Sequence, residues 1–310
     1  MRETGSPRID ICDSRGEGLV APGALPERIC GGMRWTEGPL VLPADGSLLF
    51  SDIPNNRIMR WTGDGVAEVW TAPSNFANGR TLDLEGNILT CEHGGRRVSR
   101  TRADGRYEVV VDSYRGRRLN SPNDVVVRAE DGSIWFTDPP YGIESDYEGY
   151  KADSEQDGNN VFRFDPASGE MSVVADDFDR PNGLAFSPDG GRLYIADSGA
   201  SLGAGHPDPF VPERNRHIRV FDVAGNGRIS GGEIFAVIDA GVPDGLRVDR
   251  SGRVWSSAWD GVRCYAPDGD LLLKVLLPEI TSNLVIDERG ARSMFITAST
   301  SVYRLALGKM

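Results

Sequence analysis

Six oxygen-bearing side chains stand at the head of similar stretches of this chain: Glu37, Asn78, Asn123, Asn182, Asp244 and Asn283. Each leads into an apolar run, a glycine-containing turn and a second apolar run, the pattern of a β-hairpin. The clearest copy runs from Asn123 through Val125-Val126-Val127 and Asp131-Gly132 to Ile134-Trp135-Phe136-Thr137-Asp138. Within this ring, Glu37, Asn123, Asn182 and Asp244 supply two carboxylates and two amides. Oxygen donors of this kind select a hard divalent cation, Ca²⁺ or Mg²⁺, and also accommodate Mn²⁺ or Zn²⁺. Two carboxylates balance one such ion and leave it Lewis acidity. Taken singly, an Asn or Asp ahead of a strand ordinarily caps a turn through its own backbone. Recurrence at one topological position argues instead for a shared site.

The elements that must deliver these groups follow from the spacing. The leading residues are 41, 45, 59, 62 and 39 positions apart. Each hairpin is followed by a second, for example Arg57–Trp61 with Ala67–Trp70, and Asn160–Phe164 with Met171–Val174. Four strands per repeat and six repeats predict an all-β fold: one six-bladed β-propeller of four-stranded antiparallel blades around a central channel, spanning residues 1–310. Ring closure calls for strands from both chain ends, so a segment within residues 8–30 is expected to pair with the C-terminal strand at Ser301–Leu305. No amphipathic window predicts a helix. The start of a hairpin's first strand and the end of its second lie at one end, so all six leading residues share one mouth of the channel. The long connections 139–159 and 198–216 are expected to hang over that mouth as lids.

With 310 residues and 38 glycines the chain suits a large, turn-rich β domain. A net charge of −12 with no basic stripe argues against a nucleic-acid partner. No window reaches the length of a membrane span, and the first residues lack the apolar core of a signal peptide. Cys12, Cys30, Cys91 and Cys264 have no metal-type spacing and read as free thiols, which with the missing signal points to a cytoplasmic protein. A monomer is expected.

Five motifs in order carry a resemblance: Glu37-Gly38-Pro39, Arg118–Asp124 (RLNSPND), Phe136–Gly142 (FTDPPYG), Pro181-Asn182-Gly183-Leu184 and Pro243-Asp244-Gly245. Together they resemble the SMP-30/gluconolactonase/luciferin-regenerating family, and Cys91–Val98 (CEHGGRRV) resembles its bacterial gluconolactonase branch. The resemblance implies a six-bladed propeller, a divalent metal and hydrolysis of a small-molecule sugar lactone. Glu37, Asn182 and Asp244 match the family's metal ligands, and Asn123 matches a position that holds metal or substrate. A base must take a proton from water, and Asp244 and His93 are the two candidates. Arg118 and Tyr141 flank the strongest motif and, with Asn78, Asn123 and Asn283, are candidates for binding substrate hydroxyls. Two rival functions remain on the sequence alone: hydrolysis of phosphotriesters at the same ion, and a non-enzymatic calcium-stabilised scaffold.

Overall fold

The glycine of every inner-hairpin turn has a positive φ, as at Gly46 (80°) and Gly252 (79°), so each turn closes as the sequence pattern requires. The computed structural model describes residues 5–203, 206 and 209–309. Its strands form six blades. The first blade holds Thr36–Val41, Leu48–Asp52, Arg57–Trp61 and Glu68–Thr71, and the second Ala77–Leu82, Ile88–Glu92, Arg97–Thr101 and Tyr107–Val111. The third holds Val125–Val127, Ile134–Asp138, Asn160–Phe164 and Met171–Ala175, and the fourth Pro181–Phe186, Arg192–Asp197, His217–Val223 and Ile229–Val237. The fifth holds Leu246–Val248, Val254–Ala258, Gly261–Tyr265 and Leu271–Leu276, and the sixth Thr281–Asp287, Ser293–Ala298 and Ser301–Ala306. The fold is therefore a six-bladed propeller, with all pairings within blades antiparallel. Buried apolar side chains fill the spaces between adjacent blades, as where Trp255 and Leu273 of the fifth meet Leu284 and Met294 of the sixth.

Two N-terminal strands finish two different blades. Glu27–Gly31 pairs with Ser301–Ala306 and completes the sixth blade. Arg8–Ile11 instead pairs with Leu271–Leu276 and gives the fifth blade a fifth strand. There Ile9 packs onto the core shared by the fifth and sixth blades, and Arg15 ties the following turn to Asp13, Asp268 and Asp270. The arm thus covers two outer edges that would otherwise expose unpaired backbone.

Helix is nearly absent. One turn, Tyr141–Glu144, lies in the connection after the third blade's second strand, and two three-residue 3-10 turns lie elsewhere, at Ser14–Gly16 and Ile53–Asn55. Among the described residues no helix is long and apolar enough to cross a membrane.

A repeated carboxylate clamp sets the chain's entry into three blades. Asp52 accepts from the backbone N–H of Arg34 at 2.9 Å and of Trp35 at 3.4 Å. Asp138 does the same for Asn120 and Ser121, both at 2.8 Å, and Asp197 for Asp179 and Arg180 at 3.0 and 2.9 Å. Each clamp grips the loop two to three residues upstream of Glu37, Asn123 or Asn182. The propeller thereby aims its oxygen donors before any ligand arrives.

Candidate active site

The innermost strands approach one another closely because a glycine follows four of the six leading residues. A Cβ on Gly38 would sit 2.1 Å from the Asn78 carbonyl oxygen, and one on Gly79 would sit 2.6 Å from that of Asn123. One on Gly183 would sit 2.3 Å from the Asp244 oxygen, and one on Gly245 2.0 Å from the Asn283 side chain. Glycine lets backbone N–H groups cross between blades, Gly79 to the Asn123 oxygen at 2.8 Å and Gly183 to the Asp244 oxygen at 3.1 Å. These Asn-Gly and Asp-Gly pairs are therefore contacts between blades and not hairpin turns.

Glu37, Asn78, Asn123, Asn182 and Asp244 all line one cavity of about 390 Å³. Both long connections reach it, the first with Tyr141 and Glu148, the second with Ser198, Ser201, Gly203 and Pro209. Trp35, Ile53, Val242, Trp259 and Ile280 add apolar wall. The Trp259 ring packs against Phe210 with centroids 4.7 Å apart. Among the described lining residues there is no Lys, Arg or His.

Three acids thus face a cavity with no basic side chain among its described lining residues, although Arg247 and Arg80 act on Glu37 from below it. Glu37 takes the Gly38 N–H at 2.7 Å and the Asn283 Nδ2 at 2.9 Å, both on Oε2. Burial outweighs these bonds and pushes its carboxyl up to about 7. Burial also raises Asp244 well above the usual range, with Glu37, Glu148 and Asp124 adding to it and the Asn182 amide opposing. Glu148 is likewise pushed up to about 7, by burial first and then by Glu37 and Glu144. Below them the channel holds Asp124, with Arg247 Nη1 3.5 Å away, and Arg80, which donates to the Gly38 oxygen and to Ser51 Oγ. The donor set fits a hard divalent cation: carboxylates and amides from four blades converge on a cavity whose described lining residues include no Lys, Arg or His. Glu37, Asn123, Asn182 and Asp244 would hold it.

Three expected site residues lie elsewhere. Asn283 is buried behind Glu37, whose carboxylate it orients. Arg118 is exposed, with its guanidinium on the Gly95 oxygen at 3.1 Å and its N–H on Glu155, so it does not reach the cavity. A two-residue strand, Arg117–Arg118, holds it on the outside of the lid. His93 is fully buried behind Asn78 and does not line the cavity either.

The His93 ring is instead a strut. Its Nδ1 is 3.1 Å from the Glu148 carbonyl oxygen, which can only accept, so Nδ1 carries the proton. Its Nε2 then accepts from Asn78 Nδ2 at 3.1 Å, which leaves the Asn78 oxygen for the cavity. Burial lowers the ring's pKa to about 4, so it stays neutral. In the unfolded chain it titrates near 6.5. The stability it contributes is complete above that pH and is lost as pH falls towards 4. His93→Gln should therefore flatten the acid limb of stability between about pH 6.5 and 4, a difference on the order of 2–3 kcal/mol. Thermal melts across that range test it. The acid limb of kcat/KM should keep its shape in the variant, whereas loss of that limb would restore the ring as the base.

Sequence reasoning did not single out Glu148, Trp35 or Trp259. Glu148 sits in an irregular lid with no periodic signal. Trp35 and Trp259 adjoin the expected motifs, and their placement beside Glu37 and after Ala258 was the available cue.

The channel mouth of this propeller gathers acids and amides from five blades around one cavity. Residues 35–300 match the SMP-30/gluconolactonase/LRE-like region, and the chain belongs to that family. A gluconolactonase of Zymomonas mobilis is 33% identical, over 97% of this chain and 84% of its own length. A pentonolactonase of Haloferax volcanii is 26% identical, over 86% of this chain and 82% of its own. The solved structure of a gluconolactonase from Xanthomonas campestris superposes with a TM-score of 0.87 at 34% identity, covering 99% of both chains.

Proposed function

We propose that this chain is a metal-dependent hydrolase that opens sugar lactones. The observation that carries the reading is the pair of carboxylates Glu37 and Asp244, joined by Asn123 and Asn182 in one cavity with no basic side chain among its described lining residues. The names of the gluconolactonase and pentonolactonase relatives support lactones as the substrate class.

A divalent ion at these residues would supply Lewis acidity to the lactone carbonyl and to the oxyanion that forms on attack. The chain's own residues do the rest. Trp35, Trp259 and Ile280 offer apolar surface to the C–H face of the sugar ring and exclude bulk water. The amides of Asn123 and Asn182 orient the reacting ester. Of the two bases considered from sequence, only Asp244 faces the cavity. In this reading its carboxylate takes a proton from the attacking water, and the water oxygen bonds to the carbonyl carbon. The ring C–O bond breaks, and the proton passes from Asp244 to the departing ring oxygen, giving the open hydroxy acid.

A pH-indicator screen of glucono-1,5-lactone, pentonolactones and an organophosphate triester, with chelator and single-metal add-back, tests the proposal. The expected result is lactone hydrolysis lost on chelation and restored by Ca²⁺, Mg²⁺, Mn²⁺ or Zn²⁺. Turnover of the triester alone would replace the lactonase reading, and an intact propeller inert on all of them would leave the scaffold.

A further inference from the structure

A charge is buried beneath the donor ring at a position where the other blades carry apolar side chains. Two places after their leading residues, those blades have Pro39, Val125, Leu184, Leu246 and Val285. The second blade has Arg80, 1% exposed and among the largest side chains that the fold buries completely. Burial lowers its pKa to about 10, while Glu37 and Asp124 favour its charge, so the guanidinium stays ionised at neutral pH. A buried cation is a cost to folding unless its geometry achieves something that an apolar side chain of similar volume cannot.

That geometry is set by a missing bond. Main-chain hydrogen bonds cross other blade boundaries at this level: Gly79 N to the Asn123 oxygen at 2.8 Å, Gly183 N to the Asp244 oxygen at 3.1 Å and Gly245 N to the Ser282 oxygen at 2.8 Å. At the boundary of the first two blades the corresponding donor, the Gly38 N–H, turns instead to Glu37 Oε2 at 2.7 Å. The acceptor it would have met, the Asn78 oxygen, takes the Ser51 hydroxyl at 3.0 Å. Arg80 closes the gap. Its Nη1 donates to the Gly38 oxygen and its Nη2 to Ser51 Oγ, so one planar fork joins the two inner strands. Its Nε has no partner among the described residues, and the linkage runs through the two terminal nitrogens.

We propose that Arg80 is a positioning residue for the metal ligand Glu37: its guanidinium, with Ser51, replaces the main-chain bond between the first two blades and so leaves the Gly38 N–H to orient the Glu37 carboxylate. The proposal rests on the metal-dependent reading of the same cavity.

The test is calorimetric. Ca²⁺, Mg²⁺, Mn²⁺ and Zn²⁺ are titrated singly into the metal-free wild type, and the tightest of them into Arg80→Lys, Arg80→Met and Ser51→Ala. Melting temperature is measured on each protein, and kcat and KM for glucono-1,5-lactone at saturating ion. Lysine keeps the charge but cannot span two fixed acceptors as a planar fork does. Arg80→Lys should therefore bind the ion about 10-fold more weakly and, once saturated, lose about 10-fold in kcat. Ser51→Ala keeps the charge and the Gly38 bond and cuts only the relay to Asn78. Its affinity should fall by a few-fold, and the double variant with Arg80→Lys should bind no more weakly than Arg80→Lys alone. Lower melting temperatures with ion affinity and kcat at wild-type values would make Arg80 a packing residue and overturn the proposal. Wild-type affinity in Arg80→Lys with tighter binding in Arg80→Met would show a guanidinium acting by charge alone, and overturns it as well. If Arg80→Lys does not fold, Ser51→Ala decides: weaker binding supports the proposal and unchanged binding overturns it. A wild type that takes up none of the four ions sinks the metal-dependent reading itself, and Arg80 then has no ligand to position. A wild type that binds an ion but hydrolyses no lactone sinks the lactonase reading alone, and the affinity series still decides for Arg80.

Discussion

Asp244→Asn is expected to lower kcat/KM for glucono-1,5-lactone by about three orders of magnitude, and at the same time to raise the melting temperature of the metal-free protein. The two effects have one cause. Asp244 shares its cavity with Glu37 and Glu148, and burial together with those neighbours drives its carboxyl well above the ordinary range. Without a cation the cluster is a liability, because each ionised acid is held near others in a site that water solvates poorly. Asparagine keeps the shape and removes one charge, a gain of about 1 kcal/mol, or roughly 1–2 °C for a chain of this size. The benefit reverses with metal present. The wild type gains stability by mass action from an ion that binds only the folded state, and the variant loses a ligand and most of that gain. Melting curves with chelator and with saturating Ca²⁺ should therefore cross: the variant is the more stable protein in the first and the less stable in the second. On the proposed mechanism, activity falls because the variant has neither the charge that would retain the ion nor the carboxylate that would accept water's proton. A variant less stable under both conditions, with lactone turnover intact, would make Asp244 a structural residue and remove it from the chemistry.

The fold was legible in the sequence because its signals are local and repeated. Period-2 apolar runs, glycine at the turn and a polar residue at the head recur often enough to count blades and to place Glu37, Asn123, Asn182 and Asp244 at one mouth. Another signal was present and went unread. The clamp carboxylates follow their leading residues by a constant offset of 15: Glu37 and Asp52, Asn123 and Asp138, Asn182 and Asp197. At the same offset from Asn78 stands His93, and from Asp244 stands Trp259. That register marks His93 as an occupant of the clamp position, which fits its buried place behind Asn78 better than a role at the reacting atoms. Arg118 was misplaced for the converse reason. It adjoins the strongest motif in the chain, but the clamp grips Asn120 and Ser121, and the chain reverses at a surface ribbon just before them. Glu148 was illegible because a lid held by Arg180, Arg34, Phe76 and His93 takes its shape from side chains distant in sequence. The N-terminal arm was half legible. Two extended segments were visible, but which outer edge each would cover depended on packing that alternation alone does not encode.

Gly183→Ala should force a methyl group between two blades that have no room for it and remove most of the activity. The residue's φ is not in the left-handed region, so its backbone would accept alanine without torsional strain. The obstacle is the next blade. The added Cβ would lie 2.3 Å from the Asp244 carbonyl oxygen and 2.8 Å from both Gly245 Cα and Leu246 N. All three are main-chain atoms, so no rotamer change relieves the contact, and the fourth and fifth inner strands must separate. Overpacking of this kind costs about 1–3 kcal/mol. The functional loss should be larger than the stability loss suggests, because the two residues forced apart are the neighbours of Asn182 and Asp244 themselves. Misplacement of about 1 Å between groups that must act on one reacting centre is enough for a loss of about 100-fold. Gly225→Ala is the control: its Cβ would meet nothing within 4 Å, and stability should stay within about 0.5 kcal/mol of wild type. The paired readout is kcat/KM against melting temperature. If Gly183→Ala melts several degrees lower yet turns over lactone at the wild-type rate, then the spacing of the inner strands does not set the geometry of the donor ring, and the glycine serves packing alone. If both fall and Ca²⁺ affinity falls with them, the inter-blade contact at Gly183 holds Asn182 and Asp244 at the separation that an ion and a lactone require.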